Sequence, residues 1–247
     1  MQETLREHVD RRRLLAVLPD DGTPGVTAYR AAGETLPFEH LALDDDARER
    51  MVEAAAASDT GSVLYAHETE IALIVPPFPV EESIDYSELY FAPLRALLMR
   101  DRVFAILLLR LGGLSVGFFR GEALIDSKTD QRFVKNRHRK GGQSQRRFER
   151  IREKQIDELF AKACGTSREK LEPYAEEIEY VFLGGDRRTL QAFQKECSYF
   201  KRFGARLMRR VLPVPGDPRR SSLEQIPREV WSSELYATPT AGSKLTA

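Results

Sequence analysis

Cysteine is almost absent from the chain. Its two residues, Cys164 and Cys197, supply neither a disulfide framework nor a Cys-x-x-Cys metal pair. Histidine is nearly as scarce, and the four scattered residues do not make a zinc site, so neither a metal nor a cofactor is expected. Long apolar runs are missing too. The longest, Val103–Leu109, is strand-sized and far short of the roughly 18–20 residues that span a bilayer. Met1 to Arg13 mixes acids and bases without the apolar stretch of a secretory signal. Net charge is also lacking, with 38 Lys/Arg against 38 Asp/Glu, which excludes a general basic coat. A metal-free, cytoplasmic monomer with no membrane partner is the expectation.

What is present is core material and an uneven charge distribution. At 247 residues with 42% hydrophobic and 31% charged, the chain has room for one large domain or two small ones. Nine Lys/Arg fall between Arg132 and Arg152, where Glu149 is the only acid; acids gather elsewhere, as in Asp44-Asp45-Asp46 and Glu176-Glu177. A neutral chain with one concentrated basic segment points to a local polyanion contact. An ordinary charge run of this kind is a solvated helix face, so the residues inside it must decide.

Along the chain, Arg13–Leu18 reads as a short strand before the turn Pro19-Asp20-Asp21-Gly22. Asp44–Ala57 reads as a helix, and Ser62–Val75 as two strands, Val63–Ala66 and Ile71–Val75. Ser87–Arg100 is a helix with Pro93 in its first turn. Val103–Arg110 and Leu114–Arg120 form a hairpin, and Glu122–Asp126 a third strand. Lys128–Gly142 has no apolar period and reads as an exposed loop. A helix then starts near Ser144, its stripe running through Phe148, Ile151, Ile156, Leu159, Phe160 and Ala163. Phe148 and Ile151 are expected to anchor it to the core, and Gly165 to break it. Ile178–Leu183 is a buried-type strand, Thr189–Tyr199 a helix, Leu207–Val211 a strand and Ser222–Leu235 a last helix. The alternation predicts an α/β fold, a mixed sheet with flanking helices, preceded by a smaller α+β N-terminal region. The domains run 1–100 and 101–236, with a disordered tail over 237–247.

The basic segment contains Arg137-His138-Arg139-Lys140-Gly141-Gly142-Gln143-Ser144, then Gln145-Arg146-Arg147-Phe148-Glu149-Arg150-Ile151-Arg152-Glu153. Two glycines permit backbone conformations and close approaches that side chains block. The helix start that follows adds partial positive charge suited to an oxyanion. Gln143 is neutral and cannot act as a general base, but it can orient a water by donating and accepting hydrogen bonds. An activated ester needs little more than a placed water and an oxyanion donor.

The tripeptide alone is weak evidence; the whole string is specific. Lys140 to Ser144, with Arg147-Phe148, Arg150, Arg152 and Glu153, resembles the Gly-Gly-Gln arm of eukaryotic and archaeal class-one peptide chain release factors. The resemblance extends over roughly Arg102 to Tyr236 and implies a release-factor middle-domain fold. No Asn-Ile-Lys-Ser stop-codon-reading motif is found, and there is too little chain for a partner-binding C-terminal domain. The sequence is therefore most similar to the Vms-one-like release factor group, as a minimal, actinobacterial version without zinc finger, ankyrin repeats or coiled coil. The resemblance implies Gly141, Gly142 and Gln143 as the catalytic loop. It implies Arg137, His138, Arg139, Lys140, Arg146, Arg147 and Arg150 as contacts to rRNA and the tRNA acceptor end. Its partners would be peptidyl-tRNA and the peptidyl-transferase centre of the large ribosomal subunit. For any single arginine a solvated helix charge is the bland alternative, and Arg187-Arg188 and Arg209-Arg210 are surface charges that would at most extend an RNA-facing surface. Three activities follow: peptidyl-tRNA ester hydrolysis on stalled ribosomes, endonuclease cleavage near the tRNA 3′ end, and a non-catalytic ribosome-binding module. The intact Gly-Gly-Gln favours the first.

Overall fold

The computed structural model describes residues 5–131 and 143–239. Contacts divide it into two compact units, one of the residues up to Arg100 together with those from Val230, the other Asp101–Glu229.

The first unit opens with strand β1 (Leu5–Val9) and helix α1 (Arg11–Val17). The strand expected over Arg13–Leu18 is helical because of Asp10. Its carboxylate accepts from the backbone N–H groups of Arg12 and Arg13 at 2.9 and 3.1 Å, satisfying two donors that a helix start leaves open. After β2 (Pro24–Arg30), helix α2 (Asp45–Ala57) begins where its acids predict, capped by the Asp44 carboxylate on the Ala47 N–H at 2.8 Å. Strands β3 (Ser62–Ala66) and β4 (Glu70–Val75) match the expected pair. The helix expected from Ser87 is preceded by β5 (Ile84–Glu88), and α3 spans Ala92–Met99 with Pro93 in its first turn.

The second unit begins with the meander β6 (Val103–Arg110), β7 (Gly113–Arg120) and β8 (Ala123–Gln131). Lys128–Gln131, read as loop, completes β8. Helix α4 (Gln143–Leu171) runs 29 residues and passes through Gly165 without a break. A glycine costs about 1 kcal/mol in a helix interior, and burial of Leu159, Phe160, Ala163 and Leu171 on either side of it outweighs that. Then come β9 (Tyr180–Gly185), α5 (Arg187–Glu196), a 3-10 stretch over Ser198–Arg206 and β10 (Leu207–Leu212). The helix expected over Ser222–Leu235 resolves into α6 (Arg220–Gln225), α7 (Pro227–Val230) and a strand, β11 (Ser233–Pro239).

Strand β11 belongs to the first unit, whose sheet has the order β1-β11-β4-β3-β2-β5. Every pairing in it is antiparallel. Both faces are buried by period-two alternation: Val63, Tyr65, Ala72 and Ile74 join one cluster, Leu64, Ala66, Ile71 and Leu73 another. The domain boundary drawn at 236 thus differs from the contact division, which places residues from Val230 with the first unit. The tail read over 237–247 contributes its first three residues to β11; the rest lies outside the described residues.

The second sheet has the order β10-β9-β6-β7-β8 and is mixed, as expected. Strands β10, β9 and β6 are parallel, and β6, β7 and β8 antiparallel. Ala105, Leu107, Leu109, Val116, Phe118, Val181 and Leu183 bury one face against α4 and α5. The other face carries the rings of Phe104, Phe119 and Phe182.

Candidate functional site

The register gathers the chemistry at one end of the second sheet. Leu109 pairs with Gly185, Arg110 with Gly113, and Gly113 with Gln131. The carboxyl ends of β6, β9 and β8 therefore lie together, with Gln131 the last residue of β8.

Three ion pairs set the return path of α4 beside β8. Lys170 Nζ lies 3.0 Å from Asp126, Lys128 Nζ 3.1 Å from Glu169, and Lys162 Nζ 3.4 Å from Asp130. Positions 126, 128 and 130 share one face of a strand, and 162, 169 and 170 one side of a helix. Strand numbers rise as helix numbers fall, so α4 runs antiparallel to β8 and its first turn points toward the sheet end where Gln131 stops. Each pair is partly exposed and worth at most about 1 kcal/mol; together they fix the direction. Sequence reading missed this set, although alternating charges in Asp126-Ser127-Lys128-Thr129-Asp130 mark an edge strand that keeps charged groups outward.

Among the described residues, Ile156 is the first α4 side chain recorded against this sheet's main cluster. Thirteen residues separate it from Gln143, so at 1.5 Å per residue the helix start stands about 20 Å beyond that contact along the axis. Arg147, Phe148, Glu149 and Arg150 are all exposed. Phe148 at 43% exposure is not the buried core anchor expected; Ile151 is half-buried. The first turn of α4 contains no acid. Among the described residues, Arg147 and Arg150 make no ion pair and so present their charge to solvent. Gln143 opens the helix; its side chain and that of Arg146 are not among the described positions. Arg137, His138, Arg139, Lys140, Gly141 and Gly142 lie outside the described residues.

A second feature was illegible in sequence. Cys164 and Cys197 form a disulfide with a Cα–Cα separation of 5.6 Å, tying α4 to the end of α5. Two cysteines this far apart carry no pairing signal until the helices pack. Among the described residues, no group of three or more His, Cys, Asp or Glu is placed to hold a metal ion, and no helix is long and apolar enough to cross a membrane.

Residues 102–236 match the model of the Actinobacteria/chloroflexi VLRF1 release factor family, more than half of the chain. The chain belongs to that family. The resemblance drawn from the Gly-Gly-Gln segment is thereby borne out at the level of the release factor group, and the VLRF1 match spans β6 through most of β11. Curated relatives include the peptide chain release factor subunit 1 of Archaeoglobus fulgidus, 32% identical over 127 residues, which are 51% of this chain and 31% of that protein. The same subunit of Methanopyrus kandleri is 32% identical over 123 residues, 49% of this chain and 30% of its own length. The chain thus spans about a third of the length of these relatives. Among solved structures, the archaeal translation termination factor aRF1 aligns with a TM-score of 0.40 at 18% identity, covering 90% of this chain and 73% of that one. The Vms1 mitochondrial localization core aligns with a TM-score of 0.45 at 10% identity, covering 83% and 89%.

Proposed function

We propose that this protein releases nascent peptides from stalled ribosomes by hydrolysing peptidyl-tRNA, with Gly141, Gly142 and Gln143 at the reacting ester. The observation that carries the reading is the position of Gln143. It is the first residue of a 29-residue helix that exposes Arg147 to Arg150, in a chain of a release factor family. Such a helix start can reach into a confined site, and its open N–H groups favour developing negative charge. The Gln143 amide has both a donor and an acceptor with which to hold a water. The water oxygen attacks the ester carbonyl carbon, the bond to the ribose oxygen breaks, and that oxygen takes up the proton. The products are a free peptide carboxylate and a tRNA with its terminal hydroxyl restored. Positioning supplies several kcal/mol of such a barrier, and one oxyanion donor roughly 3 kcal/mol. Arg137, His138, Arg139, Lys140, Arg146, Arg147 and Arg150 hold the arm against rRNA and the tRNA acceptor end through phosphates. The work is done in the cytoplasm by a monomer.

The test is incubation with purified ribosome–nascent-chain complexes, followed by sizing of both peptide and tRNA. The expected products are free peptide and a tRNA with a complete 3′ end that can be charged again. A tRNA shortened by nucleotides, with the missing fragment on the peptide, replaces the hydrolase by an endonuclease. Intact peptidyl-tRNA on bound ribosomes leaves a non-catalytic binding module.

A further inference from the structure

Helices α4 and α5 are joined in two ways. One is apolar. Leu159, Phe160 and Ala163 of α4 share a buried cluster with Leu190 and Phe193 of α5, and the Phe160 and Phe193 rings meet edge to face at 5.7 Å. The other is covalent, the Cys164–Cys197 bridge. The first does not need the second. Asp101–Glu229 is a compact unit, far above the roughly 40 residues below which a core needs staples, and α4 is also tied to β8 by three ion pairs. In the cytoplasm, where the reading above puts this chain, thiol pools keep most cysteines reduced, and the disulfides found there are chiefly transient or redox-sensing. A bridge that the fold can do without, in a compartment that opens bridges, calls for another account.

The two sulfurs are unequally placed. Cys197 caps α5, donating its N–H to the Phe193 carbonyl at 2.8 Å, and is only 2% exposed. Cys164 is half-buried. Its neighbour Gly165 is exposed, its φ is not positive, and a Cβ there would meet nothing within 4 Å. Neither space nor backbone demands a glycine, which weakens a helix interior; what it does is leave the helix surface beside Cys164 bare. Charge suits the same sulfur. Arg168 lies one turn beyond Cys164 on the same face of α4, and helical side chains lean back toward the preceding turn. Its guanidinium lies 5.7 Å from the centre of the Tyr199 ring, two residues past Cys197, so it is held on the side of α4 that carries the bridge. Arg202, over the same ring, is paired with Glu172. A cation beside a cysteine favours the thiolate, its reactive form.

We propose that Cys164 is an exchange site for low-molecular-weight thiols, and that its bridge to Cys197 is a redox latch on α4. The inference takes the compartment from the functional reading above. In the reduced chain the Cys164 thiolate attacks a small disulfide. A bond forms between Cys164 Sγ and one of its sulfurs, and the other leaves as a thiolate. The Cys197 thiolate then attacks Cys164 Sγ, the bridge forms, and the mixed disulfide breaks with loss of a second thiolate. The leaving thiolates take up the protons that the cysteines gave up; two cysteines are oxidised and one small disulfide is reduced to two thiols. The reverse sequence, entered by a small thiolate at Cys164 Sγ, opens the latch. Closed, it pins α4 to the end of α5; open, packing alone holds them.

The test uses the full chain in native buffer. Dithiothreitol is expected to reduce the bridge with circular dichroism unchanged, and oxidised glutathione to close it again, both counted by alkylation and intact mass. Cys197→Ser should take up one glutathione from oxidised glutathione about tenfold faster than Cys164→Ser, because position 164 is the one reached from solvent. Reduction should lower the melting temperature by about 6 °C or more and speed amide exchange in α4 over Phe160–Leu171, with β6 unchanged. A bridge that opens only at denaturant concentrations that unfold the chain is a permanent staple and overturns the proposal. Equal or reversed uptake by the two single variants removes the exchange site from Cys164. Equal melting and equal α4 exchange in the two redox states remove the latch. None of these measurements uses ribosomes, so their failure leaves the hydrolase reading standing, and a failed release assay leaves the exchange chemistry standing.

Discussion

Gln143 and Gly185 show how differently single residues can matter in this chain. Gln143 is uncharged and stands at the start of helix α4, so its loss should leave the fold and ribosome binding alone. Gln143→Ala is expected to slow peptide release by about tenfold or more, as is Gly142→Ala, read by single-turnover release from stalled complexes. Wild-type release by both variants sinks the catalytic assignment. Gly185 touches no chemistry yet tolerates nothing larger. It holds φ at +134°, and a Cβ there would lie 2.0 Å from the Leu109 carbonyl oxygen, inside the parallel pairing of β6 and β9. Gly185→Ala should cost about 3 kcal/mol or more, a fall of roughly 6–12 °C in a thermal melt of a chain this size. A melt within about 2 °C of wild type, well short of that fall, refutes the packing. The Gly-Gly-Gln motif was legible because its residues are neighbours in sequence. Arg187-Arg188 reads as surface charge, and both residues are exposed in the structure.

Helix α4 is the element on which the functional reading depends, and it is held at its far end. The Cys164–Cys197 disulfide closes a loop with a sequence separation of 33, for which loop entropy gives roughly 3–4 kcal/mol. The double variant Cys164→Ser/Cys197→Ser should melt roughly 6–16 °C lower, and the native chain should resist alkylation until it is reduced. Prompt labelling of the unreduced native chain would falsify the bridge. Just past α4, Arg202 lies 2.5 Å from Glu172 and holds that carboxyl below its ordinary value of 4.5, chiefly by the hydrogen bond it donates. A lowered carboxyl supports the fold above its ordinary value and loses that support as pH falls through the lower folded value. Glu172→Gln should therefore lower the melting temperature slightly at neutral pH, with the difference from wild type vanishing as pH falls below 4.5. The pair is exposed, so the effect is small; identical acid profiles would dismiss it. Sequence periodicity found the apolar stripe of α4 but stopped it at Gly165, because propensity was weighed without the packing that overrides it. It made Arg13–Leu18 a strand by taking a short apolar run at face value, although Asp10 stood at the capping position.

The chain leaves its first sheet at Arg100 and returns to it at Val230, and that topology was hidden from any local reading. In Ser222–Leu235, Leu223, Ile226, Val230 and Leu235 keep a helix-like spacing, while β11 is recognisable as a strand only beside β1 and β4. It pairs through Leu235 with Glu7 and Ile74, partners at opposite ends of the first hundred residues. The two units should therefore respond differently to truncation. Asp101–Glu229 keeps all five strands of its own sheet and a buried cluster of its own, so as a separate chain it should fold and unfold cooperatively. The first hundred residues alone lack the strand that lies between β1 and β4. Without β11, β4 presents an open edge whose residues Ile71–Ile74 are apolar and buried in the intact sheet, an invitation to pairing between molecules. A chain ending at Glu229 is thus expected to keep one cooperative transition and amide protection in β6, β7 and β9, while β1 to β5 lose protection and the protein associates. Hydrogen exchange read by mass spectrometry, with sizing by light scattering, tests both halves at once. A monomer protected throughout β3 and β4 after that truncation would mean that β11 is only an addition to a sheet complete without it. The sheet order argues otherwise, since β1 has no partner but β11 among the described strands.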